Sequence, residues 1–284
     1  MNGIVVLQSD FGIDSGLVSS MHGVCRTIDP GLVVEDLTHL IPAFNIETAS
    51  RTLHYTMPCW PTGTTFVSIV DPGVGTARRP CAAKTTNGYY LITPDNGTLT
   101  FPYRYFGIEE VREIDTSVHY FSGVEHTDVF HGRDVFAYCA ARLACGQISF
   151  EEVGPRYPVE DVILFALPEC LIEAGYARGV AYSENQNPED GFGVLMTNIP
   201  VKEFRACGFT FGDTVRVRLT DSGGRFVMEG TPLYERSFGY VPQGEPIVYP
   251  EVNTFLGLAL NKDNFCARYG IAGGEAYKLE IFAH

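Results

Sequence analysis

The first part of the chain, up to about residue 160, alternates short apolar runs with segments of helical length. Ile4–Gln8 and Thr65–Val70 are continuous apolar runs, as expected of strands covered on both faces. The segments Leu17–Ile28 and Ile46–Tyr55 are predicted helices, and another helix is predicted over about 135–144. Strands joined by helical crossovers form parallel sheets with helices on both faces. The sequence therefore predicts an α/β fold with a mainly parallel sheet.

The pattern changes after a proline-rich stretch that contains Pro155, Pro158 and Pro168. Short β-type runs follow, separated by turn clusters such as Asp221-Ser222-Gly223-Gly224. The predicted strands in this part are Tyr176–Tyr182, Val194–Asn198, Thr214–Leu219, Arg225–Met228, Pro246–Tyr249 and Tyr277–Phe282. This pattern predicts a smaller antiparallel β-barrel domain. We expect two domains, residues 1–165 and 166–284.

The charge balance disfavours two classes of partner. The chain has 20 basic and 34 acidic side chains among its 284 residues, a formal net charge of −14. Such a field repels nucleic acid and anionic lipid surfaces. No apolar run approaches the roughly 20 residues of a membrane span, and the N-terminus lacks the basic region of a signal peptide. We therefore expect a cytoplasmic protein with neither a nucleic-acid nor a membrane partner.

The eight cysteines are scattered and form no CxxC pair. Several of them, such as Cys139 and Cys145, lie within apolar stretches. The pattern favours free thiols in a reducing compartment over disulfides, and it predicts no metal site.

Polar residues follow three of the predicted strands. Asp10 comes directly after the first, Asp71 after the strand Thr65–Val70, and Asn96 after another strand. Ligands of parallel sheets bind at the carboxyl ends of the strands, so these positions are candidates for a site. A carboxylate such as Asp10 can accept hydrogen bonds from two ribose hydroxyls, or it can cap the helix that follows.

A turn rich in glycine and proline connects Asp71 to Arg78 and Arg79. Its length allows either arginine to fold back onto Asp71, which would form a structural ion pair or part of a site. His131 lies at the start of the predicted helix near residue 135, where histidine commonly caps or packs. If an Asp, an Arg and a His met around one water molecule, they would orient it, accept its proton and stabilise the developing hydroxide. The spacing leaves these alternatives open.

Several motifs together resemble the S-adenosyl-L-methionine (SAM) hydrolase family, also called SAM hydroxide adenosyltransferases, which is related to the fluorinases and chlorinases. The resemblance covers essentially the whole chain. The motifs are Ser9-Asp10-Phe11-Gly12, the stretch Asp71–Arg79, Thr93-Pro94-Asp95-Asn96-Gly97, Phe130–Asp134, Asp190-Gly191-Phe192-Gly193 and Thr197-Asn198-Ile199.

The resemblance implies an N-terminal α/β catalytic domain, a C-terminal β-barrel domain and a homotrimer in which SAM binds between subunits. It implies hydrolysis of SAM to adenosine and L-methionine, with neither a cofactor nor a metal. The catalytic residues that it implies are Asp71, Arg78 and His131, which would activate a water molecule for attack at the ribose C5′ carbon. The substrate-binding residues that it implies are Asp10, Phe44, Asn96, Asp190, Phe192, Val194 and Phe238.

Two features favour hydrolysis over halogenation. The chain keeps the acidic and histidine positions of the family triad, and Arg79-Pro80-Cys81 leads directly into Ala82–Thr86 without the extra loop of the fluorinases. Val194 stands where the family commonly has Asn, and Glu251-Val252 where it has Asn-Ser. These departures fall on the substrate-holding residues. They raise two alternatives, a SAM or adenosine sensor with lost turnover and a hydrolase of a modified sulfonium nucleoside; a purely structural oligomer is a third.

Overall fold

The computed structural model describes residues 1–125, 127–183, 187, 191–252 and 254–284. The chain divides into two compact units, Met1–Phe165 and Ala166–His284.

The first unit is built on one sheet of seven strands. The strands are β1 (Ile4–Ser9), β2 (Val33–Thr38), β3 (Thr65–Ile69), β4 (Pro80–Thr85), β5 (Tyr90–Pro94), β6 (Ile108–Glu113) and β7 (Arg156–Tyr157). Their order is β2-β1-β3-β5-β4-β6-β7. The first four in this order pair in parallel, whereas β4, β6 and β7 extend the sheet with antiparallel pairs. The predicted α/β class and mainly parallel sheet are confirmed.

The helices of the first unit cover both faces of this sheet. They are α1 (Leu17–Ile28), α2 (Ile46–Thr56), α3 (Thr100–Phe106) and α4 (Tyr138–Ala144), and a π-helical segment, Gly132–Ala137, leads directly into α4. Alternation along β1 explains the two layers. Val5 and Leu7 pack with Met21 of α1, whereas Val6 between them packs with Leu53 and Met57 on the α2 side. A strand buried on both faces reads as a continuous apolar run, which is why β1 was visible in the sequence.

Strand β4 was not predicted, although the sequence carries a signal for it. Asn87-Gly88 lies between β4 and β5, and this dipeptide is typical of tight hairpins because both positions tolerate a positive φ angle. In the structure Gly88 has a φ of 87° and β4 pairs antiparallel with β5. The hairpin therefore turns the chain back without a helical crossover.

The second unit is a curled sheet that forms a half-barrel. Its strands are β8 (Leu171–Glu173), β9 (Tyr176–Tyr182), β10 (Leu195–Pro200), β11 (Val215–Thr220), β12 (Phe226–Gly230), β13 (Leu233–Tyr234), β14 (Pro246–Pro250), β15 (Phe255–Leu260) and β16 (Ala276–Ala283), and its helices are α5 (Val201–Ala206) and α6 (Phe265–Tyr269). The order is β12-β11-β16-β9-β10-β15-β14-β13, and β8 pairs with β9. All pairs are antiparallel except β13 with β14.

The core of the second unit lies on the inner face of this curled sheet. Phe204 of α5 stacks on Phe209 with ring centroids 4.0 Å apart. Both rings belong to the same buried cluster as Val217 of β11 and Leu279 of β16. Strand β15 was not predicted, although its residues form the same kind of continuous apolar run as β1. Burial of all six of its residues explains that pattern.

Candidate active site

A cavity of 570 Å³ lies in the first unit at the carboxyl ends of β1 and β3. These two strands are parallel neighbours, so the residues that follow them lie side by side. Asp10 and Asp71 line the cavity together with Phe44, Thr127 and Arg133. The volume falls within the range of small-molecule sites.

The turn after β3 folds Arg78 back onto Asp71. Two backbone hydrogen bonds, from Val74 to Asp71 and from Thr76 to Gly73, tighten it. Gly75 has a φ of 75°, and a Cβ atom there would lie 2.9 Å from the carbonyl oxygen of Asp128. Only glycine meets both the backbone angle and the close approach at this point.

Asp71 and Arg78 form a nearly buried ion pair. The Arg78 Nε atom lies 2.9 Å from each Asp71 carboxylate oxygen, and Arg78 Nη2 lies 2.5 Å from Oδ2. The two side chains are 5 % and 10 % exposed. This fork geometry is specific to arginine, because lysine presents a single ammonium group.

His131, which lies 53 residues further along the chain than Arg78, completes the cluster. Arg78 Nη2 donates to His131 Nδ1 over 3.0 Å. An arginine has no acceptor, so Nδ1 must accept and the neutral ring carries its proton on Nε2. Burial, reinforced by the positive charge of Arg78, lowers the pKa of His131 below its ordinary value of 6.5. The ring is therefore neutral at neutral pH.

His131 occupies the N-cap position of the π-helical segment but makes no capping side-chain hydrogen bond. Single π turns recur at functional sites, where they re-aim one side chain within a helix. The structure therefore brings Asp71, Arg78 and His131 into one hydrogen-bonded cluster, and their catalytic roles remain a prediction. Among the described residues, those lining the cavity include Asp71 but neither Arg78 nor His131. Asp71 thus faces the cavity, Arg78 binds Asp71, and His131 accepts a hydrogen bond from Arg78.

Asp10 does not cap α1. That helix begins at Leu17, and the residue before it, Gly16, is the N-cap. Asp10 Oδ2 instead accepts a hydrogen bond of 2.8 Å from the backbone N–H of Phe44. Phe44 has a φ of 65° and is 71 % exposed. A bulky residue in this left-handed conformation is strained, and such strain clusters at binding sites.

Asn96 serves as a brace between strands. Its side-chain Nδ2 donates to the carbonyl oxygen of Val70 over 2.8 Å, and its Oδ1 accepts from the Thr98 hydroxyl over 2.8 Å. These contacts hold the chain just before Asp71. The adjacent Asp95 is buried and lies 3.5 Å from Arg79, whose guanidinium stacks on the ring of Tyr157. The neighbouring arginines 78 and 79 therefore contact different carboxylates.

The second unit carries the other predicted substrate-binding residues. Phe192 is 85 % exposed. Phe238 lies with its ring centroid 4.8 Å from that of Tyr249, and Val194 packs against the apolar cluster to which Tyr249 belongs. Tyr249 also donates to Glu251. Asp190 lies outside the described residues.

Sequence reasoning missed Thr127 and Arg133 in the cavity wall. Arg133 donates from Nε to the buried Asp134 over 2.7 Å, so its charge is neutralised locally. Its position two residues after His131 was the sequence signal that could have identified Arg133 as a residue of the cavity wall. Among the described residues, no group of three His, Cys, Asp or Glu side chains could hold a metal ion. Within the part of the chain that the structure describes, no helix is both long enough and apolar enough to cross a bilayer.

The fold and the cavity define a protein of two compact units, an α/β unit and a half-barrel unit, with a cavity of small-molecule size at the carboxyl edge of the parallel strands. Residues 5–154 match the model of the SAM hydroxide adenosyltransferase N-terminal domain, and residues 189–278 match that of the C-terminal domain. The chain belongs to the SAM hydroxide adenosyltransferase family, as its motifs predicted.

Individual relatives agree with this assignment. The (R)-S-adenosyl-L-methionine hydrolase of Thermus thermophilus is 33 % identical, with 97 % of this chain and 98 % of the relative covered. A fluorinase of an Actinoplanes species is 26 % identical, with 96 % of each chain covered. The crystal structure of an uncharacterized conserved protein from Thermotoga maritima superposes with a TM-score of 0.87 at 32 % identity, covering 98 % of this chain and 99 % of that one.

Proposed function

We propose that this protein hydrolyses SAM to adenosine and L-methionine. Water attacks the ribose C5′ carbon, the C5′–S bond breaks, and its electron pair returns to sulfur to give the neutral thioether of methionine. The observation that carries the proposal is the hydrogen-bonded cluster of Asp71, Arg78 and His131 at a cavity of small-molecule size. The names of the relatives that are SAM hydrolases support it.

The chemistry needs an oriented water molecule more than an acid. A sulfonium is already an excellent leaving group, so neither a metal nor a general acid is required for its departure. Water is a weak nucleophile, and its lone pair must point along the C5′–S axis. In-line positioning of this kind contributes on the order of 7–11 kcal/mol.

We assign to Asp71 the role of binding and orienting the attacking water molecule. A carboxylate offers about four acceptor positions, and three bonds from Arg78 leave one for a water proton. Arg78 fixes the direction of the carboxylate, and His131 fixes the guanidinium. The proton that water loses passes to Asp71 and then to solvent. Burial strengthens each of these electrostatic contacts.

The substrate-binding roles are part of the same proposal. Asp10 binds the ribose hydroxyls, Phe44 and Phe192 provide walls for the nucleoside, and Phe238 stacks on the adenine. Asp190 and Val194 complete this set, and Asn96 contributes to it by bracing the chain before Asp71. We further propose a cytoplasmic homotrimer in which SAM binds between the first unit of one subunit and the second unit of its neighbour. The high exposure of Phe44 and Phe192 in the single chain supports a shared site.

One observation favours a second candidate, a sensor or a hydrolase of a modified sulfonium nucleoside. Val194 packs in an apolar cluster with Val241, Ile247 and Tyr249 and has no amide to read a base. Tight adenosine binding without turnover of SAM would select the sensor. Turnover of a substituted sulfonium nucleoside in preference to SAM would select the other hydrolase.

The test compares two neighbouring arginines. We expect Arg78→Lys to lower kcat for SAM by at least about 100-fold, because lysine cannot hold both Asp71 oxygens and His131. Arg79→Lys is the matched control and should retain near-normal turnover, since Arg79 pairs with Asp95 instead. Adenosine and methionine are quantified by chromatography, with water and halide compared as nucleophiles. Full activity of Arg78→Lys, or halogenated adenosine as the main product, would refute the proposal.

A further inference from the structure

A second polar cluster lies directly behind the cavity wall, and the proposed chemistry does not use it. It consists of Ser9 at the end of β1, Asp36 in β2, His39 just after β2, and His22 in α1. Ser9 and His39 are buried, whereas Asp36 reaches the surface. A buried histidine and hydroxyl next to a binding site call for a physical account, because burial of polar groups is costly unless they are hydrogen-bonded.

The cluster forms one continuous hydrogen-bond chain. Ser9 Oγ lies 2.6 Å from His39 Nδ1, and His39 Nε2 lies 3.0 Å from Asp36 Oδ1. His22 Nε2 reaches the same Asp36 oxygen over 2.7 Å. Ser9 Oγ in turn accepts the backbone N–H of Phe11 over 3.2 Å.

The donors and acceptors of this chain determine its direction. A carboxylate only accepts, so His39 Nε2 donates to Asp36 and a neutral His39 accepts at Nδ1 from the Ser9 hydroxyl. Burial would raise the pKa of Asp36, but the hydrogen bonds from His39 and His22 outweigh it and lower that pKa. Asp36 is therefore ionised at neutral pH and remains an acceptor.

The order Ser-His-Asp is that of a nucleophilic triad, but the geometry excludes this use. Ser9 is fully buried, and it is not among the described residues that line the cavity. Its hydroxyl oxygen is also engaged by the Phe11 N–H. A nucleophile must reach its substrate, so the chain has a positioning role.

We propose that Ser9, His39 and Asp36 position the segment Asp10–Phe11, and through it the carboxylate that binds the ribose. Asp10 lies between Ser9 and Phe11, which are tied to each other through the Ser9 hydroxyl. Two backbone bonds fasten the same segment to the chain around His39: the Gly12 N–H donates to the His39 carbonyl over 2.9 Å, and the Ile41 N–H donates to the Ser9 carbonyl. The inference rests on the proposed function, because it assumes that Asp10 binds ribose hydroxyls.

The experiment measures binding of adenosine and of 2′,3′-dideoxyadenosine to the full-length protein by calorimetry. Only adenosine has the hydroxyls that Asp10 would bind. We expect Ser9→Ala and His39→Gln to weaken the binding of adenosine at least tenfold and to change the affinity for dideoxyadenosine less than threefold. Asp10→Asn should have the same effect. His22→Gln is the matched control, since His22 contacts the same Asp36 oxygen but not Ser9.

The outcomes separate the two proposals. If Asp10→Asn binds adenosine as the wild type does, the ribose role in the proposed function fails. If Asp10→Asn weakens adenosine binding while Ser9→Ala and His39→Gln do not, the positioning role is overturned. It is also overturned if these variants weaken both ligands equally, which indicates a general structural effect. Circular dichroism checks folding, and Asp36→Asn, at a partly exposed site, takes their place if the buried variants do not fold.

Discussion

Two adjacent residues, Arg78 and Arg79, show how the fold distributes identical side chains. Arg78 contacts Asp71 and His131, whereas Arg79 contacts Asp95 and stacks on Tyr157. A tight glycine-containing turn ends directly before β4, so consecutive side chains leave the backbone in different directions. A buried partner for each arginine makes the two positions inequivalent, although their chemistry is the same.

His131 gives a prediction about pH. The bond from Arg78 requires a neutral Nδ1, and protonation would place two donors against each other. Because burial and Arg78 lower the pKa of His131 below 6.5, the acidic limb of kcat/KM for SAM that is due to His131 should be centred below pH 6.5. The measurement is a pH profile of kcat/KM.

The control for this profile is His131→Asn, whose residual activity should lack the part of the acidic limb that is due to the imidazole. An acidic limb centred above pH 6.5 in the wild type would contradict the assigned tautomer and its link to Arg78.

At the scale of elements, α2 and α3 pack through a histidine among aromatic rings. His54 of α2 has its ring centroid 4.4 Å from that of Tyr105 and 5.6 Å from that of Phe106 in α3. Burial lowers the pKa of His54 to about 4. The packing of these helices is therefore coupled to the neutral state of one imidazole.

This coupling predicts a loss of stability in mild acid. The unfolded chain binds a proton at His54 near pH 6.5, whereas the folded protein does so only near pH 4. The free energy of unfolding should therefore fall between pH 6.5 and pH 4, with up to about 3 kcal/mol of the loss due to His54. Urea unfolding at pH 7 and pH 4.5 measures it.

The comparison variant is His54→Phe, which keeps an aromatic ring and has no titrating group. Its stability should change less between the two pH values than that of the wild type. An equal change in both proteins would show that His54 does not contribute.

At the scale of the whole molecule, the proposed trimer shares each site between two subunits. Asp71 is in the first unit and Phe192 in the second. We predict that Asp71→Asn and Phe192→Asp proteins are each nearly inactive, and that mixed oligomers regain activity. With random mixing, about one site in four combines two intact halves.

The measurement is SAM turnover by the co-expressed variants, with the oligomer mass determined by analytical ultracentrifugation. Mixing the separately purified proteins without subunit exchange is the control. A monomeric wild-type protein, or no recovered activity in confirmed mixed oligomers, would contradict the shared site.

Much of the architecture was readable from sequence because it depends on local patterns. Continuous apolar runs such as β1 and helical periodicity such as that of α1 predicted the α/β class, and the motifs predicted the family. Strand β15 is not predicted although its continuous apolar run is the same signal as that of β1, and β4 is not predicted although Asn87-Gly88 is typical of a hairpin. A short continuous apolar run is consistent with a buried strand or with a buried helix segment, so its assignment depends on tertiary context.

The sequence by itself determined the two-part organisation of strands and helices, the acidic charge and the set of polar residues that follow the strands. Only the tertiary structure decided which of these polar residues meet. It separated Arg78 from Arg79, assigned Asp10 to the Phe44 backbone instead of to a helix cap, and joined Ser9 to His39. The physical reason is that hydrogen bonds depend on distances of about 3 Å between side chains, and packing of distant segments sets those distances.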